Sequence, residues 1–184
     1  MIKQFQTLCL VLFSALTLNA QIEFTEIRCN QFGTSDPLNM TAYKNRIYFQ
    51  AYDPTNGIEL WVSDGTDSGT MLFKNISPAN GSSNPSNFKV FNNLLFFQAA
   101  DANGQELWVS DGTAAGTKLF KDIWAGSGSA VPGGFYIFNS NMYFVATDAA
   151  NGQELWVTDG TVTGTVMLKD IYAGAPSSEV YGFS

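Results

Sequence analysis

From residue 37 to residue 179, apolar side chains come in short runs punctuated by Asn-Gly, Asp-Gly-Thr and proline, and the whole pattern occurs three times. Each unit opens with a short run, around Met40–Tyr43, Phe88–Phe91 and Phe135–Phe138, closed by Lys44-Asn45, Asn92-Asn93 or Ser140-Asn141. A second run follows, Ile47-Tyr-Phe-Gln-Ala51, Leu94-Leu-Phe-Phe-Gln-Ala99 or Met142-Tyr-Phe-Val-Ala146. Alternate residues of a strand point to opposite faces, so these second runs are apolar on both. A sheet of that kind needs a neighbour on each side. The third run carries Glu-Leu-Trp, and the fourth carries Thr70–Ile76, Thr117–Ile123 or Thr165–Ile171.

The third run and the turn after it are nearly invariant: Glu59–Thr66, Glu106–Thr113 and Glu154–Thr161 read Glu-Leu-Trp-Val-(Ser/Thr)-Asp-Gly-Thr, spaced by 47 and 48 residues. Self-similarity at that period marks an array of one supersecondary unit, and four antiparallel strands in about 48 residues is the size of a propeller blade. The expected fold is therefore all-β: tandem four-stranded antiparallel repeats forming an incomplete β-propeller of three blades with flanking strands. The units fall at 37–84 (repeat 1), 85–131 (repeat 2) and 132–179 (repeat 3), preceded over 21–36 by a strand equivalent to the last strand of a blade. Residues 180–184 match the opening of a further repeat and read as a truncated fourth unit, so the chain is expected to be a fragment of a longer protein.

A hairpin centred on Asp-Gly-Thr-x-x-Gly sets an expected register. Residue 61 would face 72 and residue 59 would face 74, giving cross-strand pairs Glu59–Lys74, Glu106–Lys121 and Glu154–Lys169 on one face. Trp61–Leu72, Trp108–Leu119 and Trp156–Met167 would lie beside them, with Leu60, Val62, Phe73 and their counterparts on the other face.

The first twenty residues change the picture of where the chain works. Lys3, the apolar run Leu8–Leu18 and small Ala20 have the layout of a secretory signal peptide, too short to span a bilayer, with cleavage expected after Ala20. No later apolar run is long enough for a membrane span, so the expected location is secreted or cell-surface. Loss of residues 1–20 removes Lys3 and no acid, so nine basic groups become eight against sixteen acidic ones, a net charge of −8. Nucleic acid is disfavoured as a partner, because phosphate binding needs a basic surface. Of the two cysteines only Cys29 lies beyond the signal, and the chain has no histidine. Histidine-based triads and Cys/His zinc sites are thereby excluded.

Glu-Leu-Trp-x-x-Asp-Gly-Thr, followed by x-x-Gly-Thr and then Lys-Asp-Ile, resembles the ELWxxDGT repeat of exported bacterial proteins, and the resemblance covers nearly all of residues 22–184. It implies a large secreted or surface-attached protein of unassigned activity. The expected function is a secreted or cell-surface scaffold presenting loops to an extracellular polysaccharide or a surface protein, completed by the remaining repeats of a longer chain. The alternative is an extracellular β-propeller glycoside hydrolase or lyase whose catalytic residues lie largely outside this fragment.

Candidate chemistry is sparse. Every prominent acid recurs in each repeat, which suits a repeated structural role; no catalytic residue is assigned. Trp61, Trp108 and Trp156 are expected to pack between sheets. Trp124 follows Asp122-Ile123 outside the repeated positions and is the candidate binding residue. The Asp-Gly-Thr aspartates Asp64, Asp111 and Asp159 are expected to cap their own turns. The loops holding Asp53 and Asn56, Asp101 and Asn103, and Asp148 and Asn151 bring hard oxygen atoms together beside a glycine. An Asx turn explains them, and calcium is the cofactor they would otherwise suit.

Overall fold

The computed structural model of the protein describes residues 34–78 and 81–174. The expected signal peptide, most of the strand expected over 21–36 and the start of a fourth repeat lie outside the described residues. The described residues form three four-stranded antiparallel sheets, each a simple meander. Sheet 1 comprises β1 (Leu38–Tyr43), β2 (Arg46–Asp53), β3 (Gly57–Ser63) and β4 (Met71–Lys74). Sheet 2 comprises β5 (Ser86–Phe91), β6 (Leu94–Asp101), β7 (Gly104–Ser110) and β8 (Lys118–Lys121). Sheet 3 comprises β9 (Gly133–Phe138), β10 (Asn141–Asp148), β11 (Gly152–Thr158) and β12 (Val166–Lys169). Successive sheets draw together through their first strands, β1 against β5 and β5 against β9. This is the arrangement of consecutive β-propeller blades, with the first strand innermost.

Local backbone chemistry explains the strand ends. The first hairpin of each sheet turns on two residues with positive φ: Lys44 and Asn45, Asn92 and Asn93, Asn139 and Ser140. Two such residues make a type I′ turn, whose twist matches the strands it joins. In repeat 3 this turn lies one residue earlier than the expected Ser140-Asn141, because Asn141 already pairs with Phe138. Each first strand also bulges at an equivalent left-handed residue, Asn39, Asn87 or Gly134, where the pairing register shifts.

A second bulge overturns part of the expected register. Trp61 pairs with Leu72, Trp108 with Leu119 and Trp156 with Met167, as the turn requires. One step further the register slips, so that Lys74 lies opposite Leu60, Lys121 opposite Leu107 and Lys169 opposite Leu155. The extra residue is Phe73, Phe120 or Leu168. The glutamate is therefore not across from the lysine, and the proposed ion pairs Glu59–Lys74, Glu106–Lys121 and Glu154–Lys169 do not form. Lys74 Nζ instead donates to Ala114 O of the next repeat at 3.1 Å, and Lys121 Nζ to Val162 O at 3.3 Å.

The two cores lie between sheets. Tyr48, Leu60, Val62 and Ile76 of repeat 1 meet Leu95, Phe97, Ala99 and Trp108 of repeat 2. Phe96, Leu107, Val109 and Ile123 of repeat 2 meet Met142, Phe144, Ala146 and Trp156 of repeat 3. The bulged phenylalanines point into these layers, Phe73 edge-on to Tyr48 and Phe120 edge-on to Phe96 at centroid distances of 5.1 and 5.0 Å. Trp108 and Trp156 are only 6% and 7% exposed. Their Nε1 atoms, like that of Trp61, are enclosed without an acceptor. An unpaired N–H costs about 1–3 kcal/mol, so the indoles are held by their apolar area and not by a hydrogen bond.

Truncation of Phe97 to alanine, which empties the middle of the first layer, is expected to destabilise the protein by about 3–5 kcal/mol in urea unfolding. A second prediction comes from Val131, which holds φ 48 where its counterparts are Asp36 and Asn84. A β-branched residue is strained there by roughly 1–2 kcal/mol, and asparagine tolerates the conformation. Val131→Asn is expected to raise stability by about 1 kcal/mol in the same assay.

Candidate functional site

The loops fall into two groups. At one end of each sheet lie the β1–β2 turn and the Asp-Gly-Thr loop; at the other lie the β2–β3 loop and the connection that follows the last strand. Hydrogen bonds across repeats define the first end. Lys44 Nζ donates to Asp111 O at 2.7 Å and Asn92 Nδ2 to Asp159 O at 3.0 Å. Bonds within a repeat define the second: Ile58 N donates to Ser82 Oγ at 2.9 Å and Gln105 N to Ser129 Oγ at 3.1 Å.

The Asp-Gly-Thr loops are closed networks. Asp64 Oδ1 accepts bonds from the backbone N–H and the hydroxyl of Thr66 at 3.0 and 2.7 Å, and Asp111 and Asp159 do the same with Thr113 and Thr161. The threonine hydroxyl then accepts the N–H of Gly69, Gly116 or Gly164. A Cβ on that glycine would lie about 2 Å from the aspartate carboxylate, so the motif requires glycine there. Ser63 and Thr70, Ser110 and Thr117, and Thr158 and Thr165 close the base with hydroxyl pairs at 2.7 Å. The threonine hydroxyls, seconded by the backbone N–H groups, hold the carboxyl groups of Asp64, Asp111 and Asp159 below the usual aspartate range.

The β2–β3 loops have Asx-turn geometry. Asp53 Oδ1 accepts from Thr55 N and Asn56 N at 2.8 and 2.9 Å, and the Asn56 amide donates to both carboxylate oxygens. Asp148 and Asn151 repeat this arrangement, while Asp101 receives Asn103 N and Nδ2 in a loop one residue shorter. Burial works to raise the pKa of Asp53 and Asp148, but the amide of Asn56 or Asn151 and the loop N–H groups outweigh it, and both lie below the usual range. Among the described residues no three His, Cys, Asp or Glu side chains stand together as metal ligands.

Glu59, Glu106 and Glu154 are fully buried. Each reaches beneath the connection that follows its own sheet. Glu59 accepts Ile76 N at 2.8 Å, Ser77 N at 3.3 Å, Ser83 N at 3.1 Å and Ser83 Oγ at 2.5 Å. Glu106 accepts Ile123 N at 2.7 Å, Trp124 N at 3.4 Å and Ala130 N at 3.1 Å, and Glu154 accepts Ile171 N at 3.0 Å. One carboxylate thus ties both ends of a loop to the middle of the sheet. Burial pushes the pKa of Glu59 and Glu106 up despite these donors, and Asp122 nearby adds to the rise at Glu106. The sequence carried one signal for this role: a glutamate on an apolar strand, always seventeen residues before the isoleucine whose N–H it accepts.

Trp124 is half-buried. Its ring packs against the layer between sheets 2 and 3 and fills the space a Cβ on Gly128 would need. In repeat 3 the same position is Tyr172, 59% exposed, and in repeat 1 it is Ser77.

Fold and site together define a tandem repeat protein of propeller-blade sheets, each locked to its own connecting loop by a buried glutamate. No protein family profile matches the chain, and no curated protein matches it. Among solved structures it is similar to the α-L-arabinofuranosidase CtGH43 from Clostridium thermocellum at 14% identity and a TM-score of 0.35, over 76% of this chain and 50% of that one. The chain thus spans about half the length of that structure.

Replacement of Glu106 by glutamine retains one acceptor and sets an NH2 group against N–H donors, at an expected cost of about 1–3 kcal/mol. The folded-state pKa of Glu106 is raised, so its contribution is fully present below the unfolded value and is lost as pH rises through the folded one. The stability gap between the parent chain and Glu106→Gln, measured by urea unfolding across pH, is therefore expected to be widest in acid and to narrow as pH rises.

Proposed function

We propose that the chain is a secreted or cell-surface repeat scaffold of the ELWxxDGT type, which binds extracellular polysaccharide through the end formed by the β2–β3 loops and the connections after β4, β8 and β12. One observation carries this reading: the recurring acids are engaged with their own backbone. Glu59, Glu106 and Glu154 accept amide N–H groups, and the Asp-Gly-Thr aspartates accept threonine hydroxyls. The motif that repeats is thus structural, and what differs between repeats is left to recognise a partner. Several of those differences lie at the end of the β2–β3 loops. The β2–β3 loop varies in length, and the position after the isoleucine is Ser77, Trp124 or Tyr172. An exposed aromatic ring such as Tyr172 offers an apolar face to a sugar ring and a hydroxyl at its edge. The acidic net charge favours a neutral glycan over an anionic one.

Affinity electrophoresis of the purified chain in gels containing neutral polysaccharides tests the proposal. Retardation is expected with at least one of them. Tyr172→Ala should weaken it several-fold, and Ser68→Ala in an Asp-Gly-Thr loop should leave it unchanged. Free migration in every neutral polysaccharide would overturn the reading.

A further inference from the structure

The chain enters sheet 1 in the way it enters sheets 2 and 3. Tyr52 N donates to Ser35 O at 2.8 Å, as Ala100 N does to Ser83 O and Thr147 N to Ala130 O, both also at 2.8 Å. The residue that follows the acceptor is left-handed each time: Asp36 at φ 38, Asn84 at φ 47 and Val131 at φ 48. Ser83 and Ala130 end the connection that leaves a last strand, seven positions after Ile76 and Ile123. Before Ser35 the same spelling occurs. Phe24-Thr-Glu-Ile27 matches Phe73-Lys-Asn-Ile76 and Phe120-Lys-Asp-Ile123, with Ile27 eight positions ahead of Ser35. On sheet 1, Phe49 and Ala51 take the places of Phe97 and Ala99 on sheet 2 and of Phe144 and Ala146 on sheet 3, and all six are 0% exposed. The latter four are covered by the preceding sheet, whereas Phe49 and Ala51 belong to neither layer between described sheets. A phenylalanine on a sheet face is buried completely only when something lies over it.

We propose that residues 22–27 of this chain lie over the Phe49-bearing face of sheet 1, in the role that β4 and β8 play for the sheets after them. Connectivity identifies the occupant. Ser35 and Asp36 are held as the end of a connection, and in both other repeats the strand before that connection contributes to the layer on this face. Phe73 and Ile76 share a layer with Phe97 and Ala99, and Phe120 and Ile123 share one with Phe144 and Ala146. By the same placement Phe24 and Ile27 share one with Phe49 and Ala51. The single extra residue between Ile27 and Ser35 leaves the segment long enough to reach. One strand covers less than a four-stranded sheet does, which accounts for Trp61 being half-buried where Trp108 and Trp156 are buried. The first sheet thus has its apolar face closed by the chain itself, and that face is not a surface for a partner.

Nuclear Overhauser spectra of the full chain, with alanine and isoleucine methyl groups labelled, test the placement. Cross-peaks are expected from the Ala51 methyl to the Phe24 ring and from the Ile27 methyls to the ring of Phe49 or Trp61. Mixed samples of labelled and unlabelled chain should show no such cross-peak between copies. In urea unfolding Phe24→Ala should lower the midpoint, and in a cycle with Phe49→Leu the double variant should lose less than the sum of the two single changes. The spectra need no substitution, so a variant that fails to fold leaves the test intact. Spectra in which residues 22–27 make no contact with Phe49, Ala51 or Trp61, or make it only between copies, overturn the proposal. So does strict additivity in the cycle. None of these results depends on whether the chain binds a polysaccharide.

Discussion

Every sheet among the described residues is apolar on both faces, and a four-stranded meander cannot hide two faces by itself. The structure answers that constraint by stacking: the Trp108-bearing side of sheet 2 lies on sheet 1, and the Trp156-bearing side of sheet 3 lies on sheet 2. Stability is therefore approximately a sum of repeat and nearest-neighbour terms, as in other tandem arrays. The indoles matter for the area they cover, since their N–H groups find no acceptor. Lysine and asparagine contacts from one repeat to carbonyl groups of the next fix how far the sheets slide over one another.

Within a repeat, the decisive polar element is the buried glutamate. A backbone segment that crosses the end of a sheet exposes N–H groups which, once buried, must find acceptors. Glu59 and Glu106 collect those of the connecting loop at both its ends, and so hold the loop against its own sheet. A carboxylate suits this position because it accepts several bonds and donates none. The cost is desolvation, seen in the raised pKa of both residues.

The two ends of the stack then have different freedoms. At the Asp-Gly-Thr end, aspartate, threonine and glycine specify one another atom by atom, and a substitution at any of them disturbs the network. The other end is anchored from beneath by glutamate and accepts different residues at one place. Serine, tryptophan and tyrosine at one equivalent position illustrate that freedom, and the three rings or hydroxyls sit in different degrees of burial.

The sequence alone determined the all-β class, the repeat period, the number of strands in a unit and the pairing of each tryptophan with its neighbour across the hairpin, because these follow from local periodicity and turn chemistry. It also separated the two faces: Leu60, Val62 and Phe73 lie where alternation puts them. Only the tertiary structure decided the partner of the glutamate. A single bulged residue, Phe73, Phe120 or Leu168, moves the lysine one place along its strand, and nothing in the local pattern announces an extra residue there. The donors to Glu59 lie seventeen and twenty-four residues away in a loop whose path depends on the sheet it crosses. Which way each sheet turns its tryptophan, Trp108 towards sheet 1 and Trp156 towards sheet 2, was likewise decided by how the sheets stack, since both faces are almost equally apolar.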